Sequence, residues 1–245
     1  MLKNLQAALI IYTRLPLNSE QLDKHHFANS LAYLPWVGVC VGLLAGFVYY
    51  LCNFFLPANV SAFMALVAGI MITGALHEDG FADSCDGFFA GQDTQSIVRI
   101  MKDSTNGTFA VIGLIVLIAG KLLFLTQIAA EMHILALISM YGLARIVPLL
   151  IVISTPHCNV STSKMSAGLL LTQQELLFSG LGLLLLLAFF LPVALLFSIA
   201  IALILLAIAC RHFFMQRLQG YNGDSLGAAE QLGECLVLLL FIIYF

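Results

Sequence analysis

The chain has 245 residues, of which 61% are hydrophobic and 9% charged, with a formal net charge of −3. A soluble domain carries about 25% charged residues, so this composition excludes life in water and places the chain in a bilayer. The weak negative charge excludes nucleic acid as a partner, and six cysteines without Cys-x-x-Cys or Cys/His ligand spacing exclude a zinc site or a disulfide framework.

In chain order, the opening stretch MLKNLQAALIIYTRLP has an apolar run too short to span and no small-residue cleavage site after it. It predicts an interfacial helix that stays attached. Runs of about 20 apolar residues then predict spans at 31–55, 58–77, 108–129, 133–154, 174–190, 193–210 and 226–245. The expected fold is all-α: a polytopic integral membrane protein of about seven transmembrane helices plus the interfacial helix. With no internal repeat and no long linker, residues 1–245 form one domain with its active face toward the cytoplasm.

Orientation follows from the basic residues. With the N-terminus in the cytoplasm, the loops on that side carry Lys3, Arg14, Lys24, Arg99, Lys102, Lys164, Arg211 and Arg217, and the opposite loops carry none. Every sizeable polar segment, 1–30, 77–107, 155–173 and 211–225, falls on the same side. The other two cations, Lys121 and Arg145, lie inside spans, where an ionisable group needs a partner or a wet cavity. They read either as ligand-binding groups or as internal ion-pair struts.

The segment HEDGFADSCDGFFAG at 77–91 places four carboxylates at the end of an apolar run. Asp79, Asp83 and Asp86 are spaced i, i+4, i+7 and so fall within roughly 60° on one helical face, with Gly80, Gly87 and Gly91 on the stripe beside them. Ending a helix does not need three aligned aspartates. Arg99, Lys102 and Asp103 follow at i, i+3, i+4, a pattern that suits phosphate binding but also a solvated amphipathic face. In RLQGYNGDSLGAAEQLGE, Asp224 sits where it can cap a new helix, and Glu230 and Glu234 form an i, i+4 pair entering the last span. His77 points away from Asp79 and reads as interfacial or supporting as readily as catalytic.

Magnesium takes oxygen ligands, usually one or two carboxylates completed by water and substrate phosphate. Asp79, Asp83 and Asp86, with Asp103, Asp224 and Glu234, are therefore candidate ligands for Mg2+, and Asp79, Asp83 and Asp86 the candidate catalytic set. Arg99, Lys102, Lys121 and Arg145 are candidates for binding substrate. The reaction class is phosphoryl or phosphodiester transfer at a membrane surface. A cation or proton transporter using the acidic residues as an ion path is the rival reading.

The core at 77–87 resembles the HLDGLADTCDG motif of cobalamin synthase, the adenosylcobinamide-GDP ribazoletransferase family, with Glu78 where a leucine is common. MKDSTNGT resembles that family's M-R-D-S-x-x-G-T, and GDSLGAAEQLGE its G-D-x-L-G-A-x-x-E-L-x-E, with Gln231 in place of a glutamate. TRLP and YLPWVGVCVG match its N-terminal pattern. The resemblance implies an enzyme of the inner membrane that joins alpha-ribazole or its 5′-phosphate to adenosylcobinamide-GDP, giving adenosylcobalamin or its phosphate and GMP, with magnesium. It leaves open homo-oligomerisation or association with other cobamide-pathway enzymes. A substrate as wide as a corrinoid leads us to expect a broad cavity between the helix ends carrying Asp83, Asp103 and Asp224.

Overall fold

The structure is a computed structural model that describes residues 2–158, 160 and 173–245, with backbone only for 173–178. The predicted cation Lys164 and most of the polar segment 155–173 lie outside the described residues. In order, the helices are α1 (Leu2–Tyr12), α2 (Lys24–Ala28), α3 (Leu34–Cys52), α4 (Ala58–Thr73), α5 (Leu76–Ala90), α6 (Thr94–Met101) and α7 (Thr108–Gln127). They continue with α8 (His133–Ala144), α9 (Ile146–Ser154), α10 (Gln173–Leu187), α11 (Val193–Leu218) and α12 (Gly223–Tyr244). The only extended pairing among the described residues is an isolated parallel bridge between His157 and Tyr221.

Among the described residues, five segments are long and apolar enough to cross a membrane: Ser30–Cys52, Thr108–Gln127, Ala130–Ser154, Val193–Leu218 and Gly223–Tyr244. A sixth arises if α4 and α5 count as one broken span, bent by 88°. The chain is thus a polytopic helical membrane protein, and the described residues give five or six of the seven expected spans. The run at 174–190 falls on a helix whose described part is Gln173–Leu187.

The predicted span 58–77 stops at Thr73. Gly74 and Ala75 both adopt left-handed backbone, with φ of 67° and 57°. The Ala75 N–H donates to Ile70 O at 2.9 Å and that of Gly74 to Met71 O at 3.2 Å, a Schellman closure. The Arg14 N–H donates to Ile72 O at 2.7 Å and so ties the N-terminal segment to the same bend. The carboxylates of 78–86 therefore lie on a separate helix and not at the tip of an apolar one.

Helices α5 and α12 pack with their backbones in close approach. A Cβ on Gly80 would stand 3.0 Å from Asp224 O, and one on Gly227 would stand 3.2 Å from His77 O. Polar segments distant in sequence meet at one end of the bundle. Thr94 Oγ1 donates to Arg217 O at 3.0 Å, Arg211 Nε to Ser154 O at 3.0 Å, and the Cys158 N–H to Tyr221 O at 2.8 Å. Helix α1 packs through Ala7, Ala8 and Tyr12, and burial pushes the Tyr12 phenol pKa up.

Gly80→Val and Gly227→Val should each force α5 and α12 apart at a cost of about 1–3 kcal/mol, read as a fall in the thermal midpoint of the protein in detergent. Unchanged midpoints would mean that the two helices do not pack this closely.

Candidate active site

Two groups of charged side chains lie on either side of the α5–α12 contact. The first is buried. Arg145, at the junction of α8 and α9 and fully inaccessible, sets Nη2 3.1 Å from Glu230 Oε1 and Nη1 3.7 Å from Glu234 Oε1. Its Nη1 also donates to Tyr141 O at 2.5 Å. Lys121 Nζ of α7 lies 2.5 Å from Glu234 Oε2 and 3.9 Å from Glu78 Oε1, and donates to Gln231 Oε1. His77 Nε2 sits 3.0 Å from Glu230 Oε2, with the His77 ring stacked on Tyr12. Two fixed cations thus face three carboxylates, and protonation of His77 would make the count three and three.

In this network the charged ends of Lys121 and Arg145 face buried glutamates, the arrangement of internal ion-pair struts. Glu234, a candidate metal ligand from the sequence, faces Lys121 and Arg145 here. Both positions that depart from the resembling motifs, Glu78 and Gln231, face the same ammonium of Lys121. A carboxylate gained on α5 thereby stands in for one missing on α12.

The second group is wetter. Asp79 is exposed, while Asp83 and Asp224 are half-buried. Asp83 feels the charges of Asp79, Asp224 and Asp86, and Asp224 those of Asp79 and Lys102. A cavity of about 160 Å³ is lined by Asp79 and His77 from α5, Asp224 and Glu230 from α12, and Tyr12 and Pro148. Asp79 of α5 and Asp224 of α12 therefore line one small, mostly apolar hollow together with the His77–Glu230 pair.

The other predicted carboxylates have structural work. Asp86 is buried, and its Oδ2 and Oδ1 accept the N–H groups of Gly107 at 2.5 Å and Ala110 at 2.9 Å. It satisfies the open N-terminus of α7, a favourable place for a negative charge. Arg99, Lys102 and Asp103 do not share a helical face, because α6 ends at Met101. Asp103 is exposed, and its Oδ1 accepts from Thr105 N–H at 3.0 Å and Thr105 Oγ1 at 2.7 Å. Those bonds, the hydroxyl's first, hold its carboxyl below the usual carboxylate range. Asn222, not Asp224, caps α12 by accepting from Ser225 N–H at 2.9 Å. The cavity at Asp79 and Asp224 is smaller than the ~300–1,000 Å³ of a typical small-molecule pocket, and neither Asp83 nor Asp103 lines it. Among those residues, no group of three or more His, Cys, Asp or Glu side chains is gathered to hold a metal ion.

Spacing alone did not single out the His77–Glu230 pair, since the partners lie far apart in sequence. Glu78 carried a usable signal, an acid where the motif has an apolar residue.

Fold and site define the class: a helical multi-pass membrane protein that collects acidic side chains from two helices at the end where its polar segments meet. The chain belongs to the cobalamin-5-phosphate synthase family, whose model matches residues 4–242. It is 33% identical over 244 residues to the adenosylcobinamide-GDP ribazoletransferase of Shewanella frigidimarina, covering 95% of this chain and 92% of that protein. The protein of the same name from Vibrio cholerae is 34% identical over 238 residues, covering 94% and 87%. No solved structure matches the chain.

The shared role of Glu78 and Gln231 gives a direct test. Glu78→Leu and Gln231→Glu should each lower stability alone. Together they should recover most of it, with a coupling of about 0.5–3 kcal/mol in a double-mutant cycle read by thermal unfolding. Additive losses would dissociate the two positions.

Proposed function

We propose that this chain performs the last condensation of cobamide assembly, joining alpha-ribazole or its 5′-phosphate to adenosylcobinamide-GDP. In the reaction a ribosyl hydroxyl attacks the cobinamide-linked phosphorus. A new P–O bond forms, the bond from that phosphorus to the bridging pyrophosphate oxygen breaks, GMP leaves with that oxygen, and the hydroxyl proton is released. Membership of the family supports the reaction. The observation that supports its location is the cavity shared by Asp79 of α5 and Asp224 of α12.

Asp79, Asp83 and Asp224, not gathered into a ligand set among the described residues, are the residues that would have to draw together to hold Mg2+. Their hard oxygen donors fit the ion, and water and substrate phosphate would have to complete its shell. The chemistry such an ion supplies is neutralisation of charge on the pyrophosphate and the leaving phosphate. Lys102, whose charge acts on Asp224, and the exposed Arg99 provide cations for substrate phosphate. The Asp86 carboxylate shapes the site from behind by holding Gly107 and Ala110. The bias of lysine and arginine supports insertion in the inner membrane with this end in the cytoplasm.

In proteoliposomes given adenosylcobinamide-GDP, alpha-ribazole 5′-phosphate and limiting magnesium, Asp79→Asn, Asp83→Asn and Asp224→Asn should each slow GMP release by about 10²–10³-fold. Asp86→Asn should instead show its main effect as a lost helix cap, about 1 kcal/mol in thermal stability. Near wild-type turnover in Asp79→Asn and Asp83→Asn would remove the metal reading. Absence of any corrinoid product from the wild-type protein would remove the reaction.

The orientation has its own test. In Gln92→Cys and Gly223→Cys, an impermeant maleimide should label both positions in inverted vesicles and neither in intact spheroplasts. Labelling of the two from opposite sides would overturn the topology.

A further inference from the structure

Helix α5 has a second functional face. About 180° around the helix from its aspartates, Phe81, Ser84, Cys85 and Phe88 line an apolar groove of about 510 Å³. Its other walls are α11 between Leu206 and Arg217 and α12 between Ala228 and Leu232. Both of those helices are long and apolar enough to cross the membrane. The rim residues Phe89, Phe213 and Leu232 are exposed, at 72%, 40% and 43%, so the groove opens sideways toward hydrocarbon.

One end of the groove is cationic. Arg217 lies on its wall, with Nη2 donating to Phe88 O and Gly91 O, both at 2.9 Å, and its guanidinium 5.9 Å from the Phe213 ring centroid. Among the described residues no carboxylate pairs with it, and Nε and Nη1 make no hydrogen bond. From Leu206 to Arg217 the wall runs about 16 Å at about 1.5 Å per residue, close to half of a ~30 Å hydrocarbon core. The groove therefore has the depth of one leaflet, apolar along its length and positive where that leaflet meets water.

We propose that this groove binds an anionic phospholipid, one acyl chain lying along α11 against the back of α5 and the phosphate resting on Arg217. Water does not fill a cavity with so few polar partners, whereas a hydrocarbon chain matches its walls. An arginine with donors to spare is the side chain best shaped to meet a phosphate, and its unpaired charge selects a lipid with net negative charge. The inference stands on this groove alone and does not depend on the reaction proposed above. It makes the rear support of the acidic helix a component of the membrane itself.

The test is phosphatidylglycerol binding to the delipidated full-length protein in detergent, followed by native mass spectrometry and compared with phosphatidylcholine of the same chain length. The wild-type protein should retain one phosphatidylglycerol more tightly than phosphatidylcholine. Ala209→Trp fills the groove from an exposed wall position, and Leu232→Trp repeats the block from α12. Each should weaken binding by about tenfold or more. Arg217→Gln should abolish the preference between the two lipids while leaving a bound chain. Wild-type affinity in both tryptophan variants would overturn the proposal, as would retention of phosphatidylglycerol no stronger than that of the detergent. Displacement of the lipid by alpha-ribazole would also overturn it and make the groove a subsite for an aromatic base.

Discussion

The arrangement rests on one buried contact, the grip of Arg145 and Lys121 on Glu230 and Glu234. In a hydrocarbon surrounding, none of these groups can find water, so each is costly unless its partner is in place. The cations come from α7 and the α8–α9 junction, and the anions from α12 and, through Glu78, from α5. Four separate segments are thus held at fixed relative heights. Glu230 is six residues beyond Asp224 and Glu78 immediately precedes Asp79, so the same fastening sets the relative heights of Asp79 and Asp224. Glycines at 80 and 227 let the two backbones come close enough for this to work.

Seven carboxylates that look alike in the sequence are sorted by their surroundings into different jobs. Asp86 gives both oxygens to backbone N–H groups at the start of α7, and Asp103 serves its own turn. Glu78 and Glu234 answer Lys121. What remains outside these pairings is Asp79, Asp83 and Asp224, drawn from two helices, with Asp224 accepting only from Asn222 Nδ2 among the described residues. The spent carboxylates are still needed, because they fix the frame in which the free ones stand.

Much of this was legible in advance. The apolar runs located most of the spans, and the i, i+4, i+7 spacing put Asp79, Asp83 and Asp86 on one face of a real helix. The motifs around 77–87, 102–108 and 223–234 pointed to the family to which the chain belongs. What spacing could not show were contacts between elements far apart in sequence. Nothing near Asp86 announces Gly107 and Ala110 as its partners, and a glutamate entering a span reads equally as a metal ligand or a buried counter-ion until the facing helix is known. The break after Thr73 was hidden too, since Gly-Ala is a mild signal and the hydropathy of the run continues to His77.

The bend at Gly74 and Ala75 also bears on how the chain enters its membrane. An insertion machinery that reads apolarity in passing segments meets the 16 apolar-rich residues of α4 and then, at once, a helix with an acid at 78, 79, 83 and 86. Because the backbone turns by 88° between them, α5 does not continue α4 as one straight span, and its first acid, Glu78, is met by Lys121 of α7. Biogenesis and chemistry thereby place the same demand on two residues. A substitution that straightened the junction would ask the translocation step to carry four carboxylates through oil, so the earliest symptom of such a variant would be a failure of insertion, before any question of turnover arose.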